Sequence, residues 1–250
     1  MKAANPTGCK EKQMKTKKSK IFAIVSGACA VLFVAFTLIV KFVDVEPIGP
    51  EGTSVGLAAL NKAASDALGF NRTLYDVTDW LGVVALAAAV AFAVIGVVQL
   101  IRRKSLKKVD FEILALGVFY IVIAAFYVFF ELVIVNYRPI ILGAAPEASY
   151  PSSHTVLAVC VLGSAIVVVH RKLNSRPWRI AAEAAFAALA VVIVVGRLLS
   201  GAHWLTDIIG GLLLSAALVS GYIAALAFRD ERVGARNANP EEASGADTAE

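Results

Sequence analysis

Residues 180–228 read IAAEAAFAALAVVIVVGRLL, then SGAHWLTD, then IIGGLLLSAALVSGYIAALAF, which is two apolar blocks joined by a short polar segment. An α-helix rises about 1.5 Å per residue, so about 20 residues cross the roughly 30 Å hydrocarbon core of a bilayer. We therefore predict two membrane-spanning helices, over about residues 180–199 and 208–228, whose ends meet at the polar segment 200–207.

Four further apolar blocks precede this pair, at about residues 21–43, 81–101, 113–135 and 155–169. The last of these is short, but His154 and His170 extend it at the two interfaces. The chain of 250 residues is 58% hydrophobic and 17% charged, with a mean hydropathy of +0.73. Soluble domains average about 45–50% apolar and about 25% charged residues. The sequence thus predicts an all-α bundle of six transmembrane helices.

The ends of the chain differ from the blocks in composition. Residues 1–20 carry seven lysines and are predicted to be a basic, disordered tail. Block 21–43 is longer than the 7–15-residue apolar core typical of a cleaved signal peptide, which favours a retained anchor. The small residues Ala28–Ala30 leave cleavage open as an alternative. Residues 229–250 are polar and are predicted to form a disordered tail. The membrane domain is expected over residues 21–228.

Residues 54–68 lie between the first two blocks and show helical spacing, with Leu57, Leu60, Ala64 and Leu68 on one face. A short helix on the membrane surface and a plain loop are both compatible with this pattern.

Basic residues set the predicted orientation. Four segments hold 19 of the 24 Lys and Arg residues: 1–20, 102–108, 171–179 and 229–236. Positive residues concentrate on the cytoplasmic side of membrane proteins. We therefore expect both termini in the cytoplasm, and we expect segments 44–80, 136–153 and 200–207 on the opposite face. This placement accounts for the net charge of +5 without a nucleic-acid partner, since no basic stripe with interleaved aromatics is present.

The three cysteines carry no predicted chemistry. Cys9 lies in the basic tail, whereas Cys29 and Cys160 lie within apolar blocks. Their spacing suggests neither a disulfide framework nor a CxxC metal site. The two within the membrane are interpreted as small packing residues.

Ionisable residues recur at one predicted depth, on the non-cytoplasmic side. They are Arg138, His154, Arg197, His203 and Asp207. Ionisable groups at the membrane are energetically unfavourable and are therefore functional candidates. A transporter would place such groups near the middle of the bilayer, where none of these five is predicted.

The residue types favour phosphoryl transfer. Arginine offers a planar set of donors suited to phosphate oxygens. Ser152 and Ser153 precede a helix whose N-terminus favours an anion. His203 and Asp207 are spaced i, i+4, so on a helix the carboxylate can orient the imidazole and stabilise its cation. His154 can donate a proton to a leaving oxygen. A zinc site built from two histidines and an aspartate stays open as an alternative.

Three segments resemble the signature of the type 2 phosphatidic acid phosphatase family, in the superfamily that also holds vanadium haloperoxidases. The family pattern is Lys-x6-Arg-Pro, then Pro-Ser-Gly-His, then Ser-Arg-x5-His-x3-Asp. The matching residues here are Arg138-Pro139, Pro151-Ser152-x-His154 and Arg197-x5-His203-x3-Asp207. The resemblance covers roughly residues 80–228 and includes the six-span layout.

The resemblance implies an integral membrane lipid phosphatase that needs no metal or other cofactor. His203 would attack phosphorus, Asp207 would orient it, and His154 would protonate the leaving group. The residues implied to bind phosphate are Arg138, Ser152, Ser153 and Arg197. Expected substrates include undecaprenyl diphosphate, phosphatidic acid and phosphatidylglycerol phosphate, hydrolysed at the non-cytoplasmic face of the cell membrane. A lipid-binding protein that retains the fold without catalysis is the alternative.

Three positions depart from the family pattern. Ser153 replaces a glycine, and its backbone N–H can still face an anion. Gly196 replaces a serine. Glu131 replaces a lysine about 10 Å of helix below Arg138, which exchanges a phosphate-binding cation for an anion. Glu131 bears on substrate preference and is the feature that favours the non-catalytic alternative. Upstream of the motifs, Asp76, Asp79 and Trp80 could form a roof over the site, but they are interpreted as part of a plain loop.

Overall fold

A computed structural model describes the backbone of residues 6–238 and the side chains of residues 18–238. It contains seven α-helices: α1 Pro6–Phe42, α2 Ala58–Leu68, α3 Arg72–Arg103, α4 Phe111–Leu132, α5 Ser153–Lys172, α6 Arg176–Leu199 and α7 Leu205–Ala238. All except α2 are long and apolar enough to cross a membrane. Within the described residues there is no β-strand, only isolated bridges. The predicted all-α, six-span architecture is confirmed.

The bundle exposes its apolar surface, as expected for a protein whose solvent is lipid. In α1 and in α3, only 11% of the most apolar 18-residue stretch is buried inside the protein. Helix α5 is the most enclosed span, because 50% of its most apolar stretch is buried inside the protein. It contacts α3, α4, α6 and α7. Helix α1 packs along α7. The centre of the protein is therefore α5, the helix that begins with the second motif.

Two helices begin or end away from the predicted limits of the spans. Helix α3 begins at Arg72, well before residue 81, because the side chain of Asn71 accepts a hydrogen bond from the backbone N–H of Leu74 at 2.9 Å and caps the helix. Its first turns extend beyond the apolar block. Helix α7 continues to Ala238.

Residues 229–238 were expected to be part of a disordered tail, but they continue helix α7. Arg171 of α5 donates two hydrogen bonds to Asp230, at 2.9 and 3.0 Å. Ser19 of α1 donates to Glu231 at 2.9 Å. These contacts hold the extension against two spans. Helix α1 likewise begins at Pro6, inside the segment predicted to be a disordered tail. Residues 1–5 and 239–250 lie outside the described part of the chain.

Helix α2 shows that residues 54–68 form a helix rather than a loop over most of their length. Its buried residues are Ala58 and Asn61, and the side chain of Asn61 donates to Gly56 O at 2.8 Å and to Thr206 Oγ1 at 2.9 Å. Leu60 and Leu68, on the predicted apolar face, stay 46% and 38% exposed. Polar contacts therefore attach α2 to the bundle, while its leucines face outward.

The three segments predicted to share one face meet at one end of the bundle. The backbone N–H of Asn71 donates to Ser200 O at 3.0 Å, and that of Gly56 donates to the side chain of Asn136 at 3.0 Å. Lys41 donates to Ile134 O at 2.7 Å. These bonds link all three segments, so the motif-bearing loops have fixed relative positions.

Candidate active site

A cavity of about 500 Å³ lies beside these loops, between α3, α4 and α5. Its polar wall includes Glu131, Arg138, Ser153, His154 and His203. Its remaining wall is apolar and contains Leu86, Ala89, Ile123, Phe126, Phe130 and Leu157. The structure thus brings four of the seven predicted site residues to one cavity.

His203 lies in the segment between α6 and α7 and is almost wholly buried. Its Nδ1 lies 3.5 Å from Oδ2 of Asp207, in the first turn of α7. The same carboxylate oxygen accepts the backbone N–H of Trp204 at 2.9 Å, which fixes its position. On the other side of the ring, Nε2 lies 3.1 Å from Nη1 of Arg138. The imidazole is therefore held between a carboxylate and a guanidinium, with Nε2 as the nitrogen farther from the carboxylate.

Burial holds the pKa of His203 well below its usual range, and the nearby charges of Arg138, Arg197 and His154 lower it further. The ring is therefore neutral at neutral pH. A neutral imidazole keeps a lone pair on one nitrogen, which a nucleophile requires.

Trp204 joins two of the motif-bearing loops. It is buried, and its indole Nε1 donates to the backbone oxygen of Tyr137 at 2.6 Å. This bond ties the segment that carries His203 to the segment that carries Arg138.

Arg138 follows α4 and is held by Glu147. The Arg138 backbone N–H donates to Glu147 O at 2.9 Å, and its Nε lies 3.2 Å from the Glu147 carboxylate. Sequence reasoning missed Glu147, since nothing in the sequence pairs it with a residue of the motifs. The carboxylate at Glu147 leaves the Nη atoms of Arg138 facing His203.

Arg197, in the last turn of α6, is wholly buried. Its guanidinium lies over the ring of Tyr75, 4.6 Å from the centroid. Its Nη2 lies 2.7 Å from Nδ1 of His154 and 3.3 Å from Oδ1 of Asp79. Arg197 therefore lies between His154 of α5 and residues of α3, and it is not among the residues that line the cavity.

His154 is the second residue of α5 and reaches both the cavity and α3. Its Nε2 lies 3.0 Å from Oδ1 of Asp79. Asp79 lies within helix α3 and contacts His154, so the interpretation of Asp76, Asp79 and Trp80 as a plain loop was wrong. The available signal was its place just before the second apolar block, at the predicted depth of the other ionisable residues.

The two serines have different positions. Ser152 is fully buried and caps α5, where its Oγ accepts the backbone N–H of Thr155 at 3.4 Å. Its own N–H donates to Asp207 O at 3.0 Å. Ser153 lines the cavity. Of the two serines among the predicted phosphate ligands, only Ser153 therefore lines the cavity, at the positive end of α5.

The arrangement suits an anion with an apolar tail. One largely apolar cavity is lined by two imidazoles and a guanidinium. A carboxylate lies behind each imidazole, and the guanidinium lies beside the first. These are the parts of nucleophilic catalysis on an anionic group. Among the described residues, no group of three or more His, Cys, Asp or Glu is placed to hold a metal ion.

Part of the chain matches a known superfamily. Residues 136–230 match the sequence model described as the PAP2 superfamily. The predicted resemblance to the type 2 phosphatidic acid phosphatases is thereby confirmed, and the similarity supports a multi-pass membrane phosphatase.

A solved structure shares the fold. A transmembrane PAP2-type phosphatidylglycerolphosphate phosphatase from Bacillus subtilis superposes with a TM-score of 0.53 at 19% sequence identity. The match covers 84% of this chain and 97% of that one. No curated protein sequence matches the chain significantly.

Gly196 has a structural reason to differ from the family serine. A Cβ at this position would meet Cγ2 of Thr78 at 2.4 Å. We expect Gly196→Ser to push α3 away from α6 and to lower the melting temperature, since overpacking typically costs about 1–3 kcal/mol. Thr78→Ser removes the methyl group and keeps the hydroxyl, so the double variant should recover most of the loss.

Thermal unfolding of the four proteins in detergent measures this coupling. Thr78→Ser alone is the control and should change the melting temperature little. Equal melting temperatures for Gly196→Ser and the wild type would contradict the steric explanation.

His203 predicts a loss of stability on acidification. Its pKa is lowered in the folded protein, whereas an unfolded histidine binds a proton near pH 6.5. As the pH falls through that value, the unfolded state gains a proton that the folded state excludes, so the free energy of unfolding decreases. Between pH 7.5 and about pH 5, we expect the melting temperature of His203→Gln to fall less than that of the wild type.

His170→Gln, which removes an exposed histidine at the other end of α5, is the matched control. An unchanged pH dependence in His203→Gln would show that this ring does not take up the proton.

Proposed function

We propose that the protein hydrolyses a phosphomonoester or diphosphate of a lipid through a phosphohistidine on His203. The observation that carries this proposal is the geometry of His203. A buried neutral imidazole lies between Asp207 and Arg138, at the polar end of a cavity whose other walls are apolar. Such a site combines a nucleophile and an anion ligand with room for a lipid chain.

The proposed reaction has two steps. In the first, Nε2 of His203 attacks phosphorus, the bond to the leaving oxygen breaks, and His154 gives that oxygen a proton. Asp207 stabilises the positive charge that forms on the His203 ring. In the second, water attacks phosphorus and the N–P bond breaks, while His154 takes the proton from water. His203 returns to its neutral form, and inorganic phosphate leaves.

Arg138 is the proposed ligand of the phosphate oxygens at the start of the reaction. Its guanidinium is already 3.1 Å from the attacking nitrogen. A phosphate placed between them exchanges that contact for charge-assisted hydrogen bonds, which are the stronger interaction. Ser153, at the N-terminus of α5, is the second proposed contact.

The apolar part of the cavity is the proposed site of the lipid chain. Leu86 and Ala89 of α3, Ile123 of α4 and Leu157 of α5 contribute to it. A chain lying there would keep its contact with apolar surface while its head group reaches His203. The candidate substrates are undecaprenyl diphosphate, phosphatidic acid and phosphatidylglycerol phosphate.

The distribution of basic residues supports a site on the non-cytoplasmic face. The motif-bearing loops lie at the end of the bundle opposite segments 102–108 and 171–179. Since positive segments stay in the cytoplasm, the site would face outward. That orientation favours a lipid whose head group is exposed outside the cell, as in the recycling of a lipid carrier.

A lipid-binding protein without catalysis is the second candidate, and Glu131 favours it. This carboxylate lines the cavity where the family pattern has a lysine. Its charge opposes a phosphate bound nearby, which weakens binding without removing the nucleophile.

Phosphate release tests the function directly. We expect purified protein in detergent to release phosphate from at least one of these lipid phosphates. His203→Ala should reduce kcat by at least about 10³-fold, because the attacking group is lost. His170→Ala is the control for the loss of a histidine. Radiolabelled phosphate should remain on quenched wild-type protein and not on His203→Ala. Undiminished release by His203→Ala would exclude this mechanism.

Glu131 should act on substrate affinity. Removing a repulsion of about 1 kcal/mol corresponds to about fivefold in affinity. We therefore expect Glu131→Lys to lower KM for anionic lipid phosphates by about fivefold or more, with a smaller change in kcat. Glu51→Lys makes the same charge change at an exposed turn and is the matched control. A higher KM in Glu131→Lys would indicate that the carboxylate takes part in substrate binding.

A further inference from the structure

Asp79 is the acidic residue in contact with His154. Its Oδ1 lies 3.0 Å from Nε2 of His154 and 3.3 Å from Nη2 of Arg197. It belongs to α3, outside residues 136–230 that the superfamily model matches. We propose that Asp79 is the positioning residue of His154, which it orients and supports as the acid and base of the reaction. This inference rests on the proposed function.

The packing of α3 places Asp79 against the site. A Cβ on Gly82, nearly one turn further along α3, would meet the His154 ring at 2.9 Å, so a glycine leaves the space the imidazole occupies. On the preceding residue, Thr78 packs against Gly196 of α6 with no room for a further atom. Close packing on both sides of Asp79 therefore sets the distance between its carboxylate and His154.

The contacts of His154 assign its two nitrogens. Arg197 Nη2 can only donate, and it lies 2.7 Å from Nδ1 and 3.0 Å from Nε2. Since Nε2 also faces Oδ1 of Asp79 at 3.0 Å, which can only accept, we assign Nδ1 as the nitrogen that accepts from Arg197. Nε2 then carries the proton and donates to Asp79. In the reaction, Nδ1 exchanges its contact with Arg197 for a proton from solvent. That proton passes to the leaving oxygen as the bond from oxygen to phosphorus breaks, while Asp79 keeps the proton on Nε2.

The charges around His154 make Asp79 the group that favours its cation. Arg197 of α6 contacts the ring and is positive. The other ionisable groups in the wall of the same cavity are Glu131, Arg138, His203 and three tyrosines, Tyr120, Tyr127 and Tyr150. A second cation beside Arg197 is unfavourable unless a carboxylate offsets it. Without Asp79, the protonated form that the leaving group needs is lost.

The pair formed by Asp79 and His154 parallels the pair formed by Asp207 and His203. In each, a carboxylate near the start of a long helix faces one nitrogen of an imidazole that lines the cavity, at 3.0 Å for Asp79 and 3.5 Å for Asp207. One pair would serve the nucleophile and the other the proton donor. If the two pairs have these separate roles, loss of Asp79 should slow only the hydrolysis of substrates whose leaving group needs a proton.

The test compares a lipid phosphate, phosphatidic acid, with 4-nitrophenyl phosphate. An alkoxide leaving group needs a proton, whereas 4-nitrophenolate is stable without one. The parameter is kcat/KM, which reports the first phosphoryl transfer, over a range of pH. The variants are Asp79→Asn, Asp79→Glu and His154→Gln in the full chain. The matched control is Asp76→Asn, one turn earlier on α3, where the carboxylate pairs with Arg72 at the surface.

We expect Asp79→Asn to lower kcat/KM for phosphatidic acid by about 10²-fold, at the lower end of what general acid catalysis provides. For 4-nitrophenyl phosphate the loss should stay below about threefold, since no proton is needed. His154→Gln should show the same selectivity, and Asp79→Glu should restore part of the activity. For the lipid, the basic limb of the pH profile should move to lower pH in Asp79→Asn. Asp76→Asn should match the wild type.

An equal loss on both substrates would overturn the proposal, because it would mean that Asp79 only maintains the structure. Full activity of Asp79→Asn on phosphatidic acid would overturn it as well. The ratio between the two substrates is measured on the same sample, so partial misfolding of a variant does not change it. Wild-type protein that releases phosphate from neither of these substrates, nor from undecaprenyl diphosphate or phosphatidylglycerol phosphate, would refute the proposed function itself.

Discussion

A guanidinium with no exposed surface connects the helices around the site. Arg197 contacts Asp79 and the ring of Tyr75 on α3, and His154 on α5, from its own place on α6. A buried charge is strongly unfavourable unless it is paired and hydrogen-bonded. Three spans must therefore meet at one point for this residue to be accommodated. The position of His154, and with it one end of the cavity, depends on that requirement.

The rest of the bundle follows a different rule from the site. In a lipid environment apolar side chains gain little by turning inward, so helices pack through small residues and close contacts. Gly210 and Gly211 of α7 illustrate this, since a Cβ on either would meet Tyr150 or Thr155 at 2.6 to 2.9 Å. Tyr150 is itself buried and shares a hydrogen bond with Thr37 of α1 at 2.8 Å. Close packing thus positions the loop before α5, which carries the second motif.

Several features were predictable because each is encoded in a short stretch of sequence. Block length and composition predicted the six spans. The distribution of basic residues predicted that Arg138, His154 and His203 lie at one end of the bundle. Other features depend on partners distant in sequence. Ser152 was predicted as a phosphate ligand, but its hydroxyl caps α5. Helix α2 was left undecided between helix and loop, because Asn61 attaches it through Thr206, far along the chain.

The sequence by itself determined the class of protein, the number of spans and the chemical types available at one face of the membrane. Hydropathy and the positive charge of the loops are local quantities, and six apolar blocks in lipid can satisfy their backbone groups only as helices. Only the tertiary structure decided which charge meets which. Helix packing brought Asp79 to 3.0 Å from His154. The loop between α4 and α5 folds back on itself, which brings Glu147 to 3.2 Å from Arg138. Pairing of buried charges depends on distances across the bundle, and no periodicity along the chain carries that information.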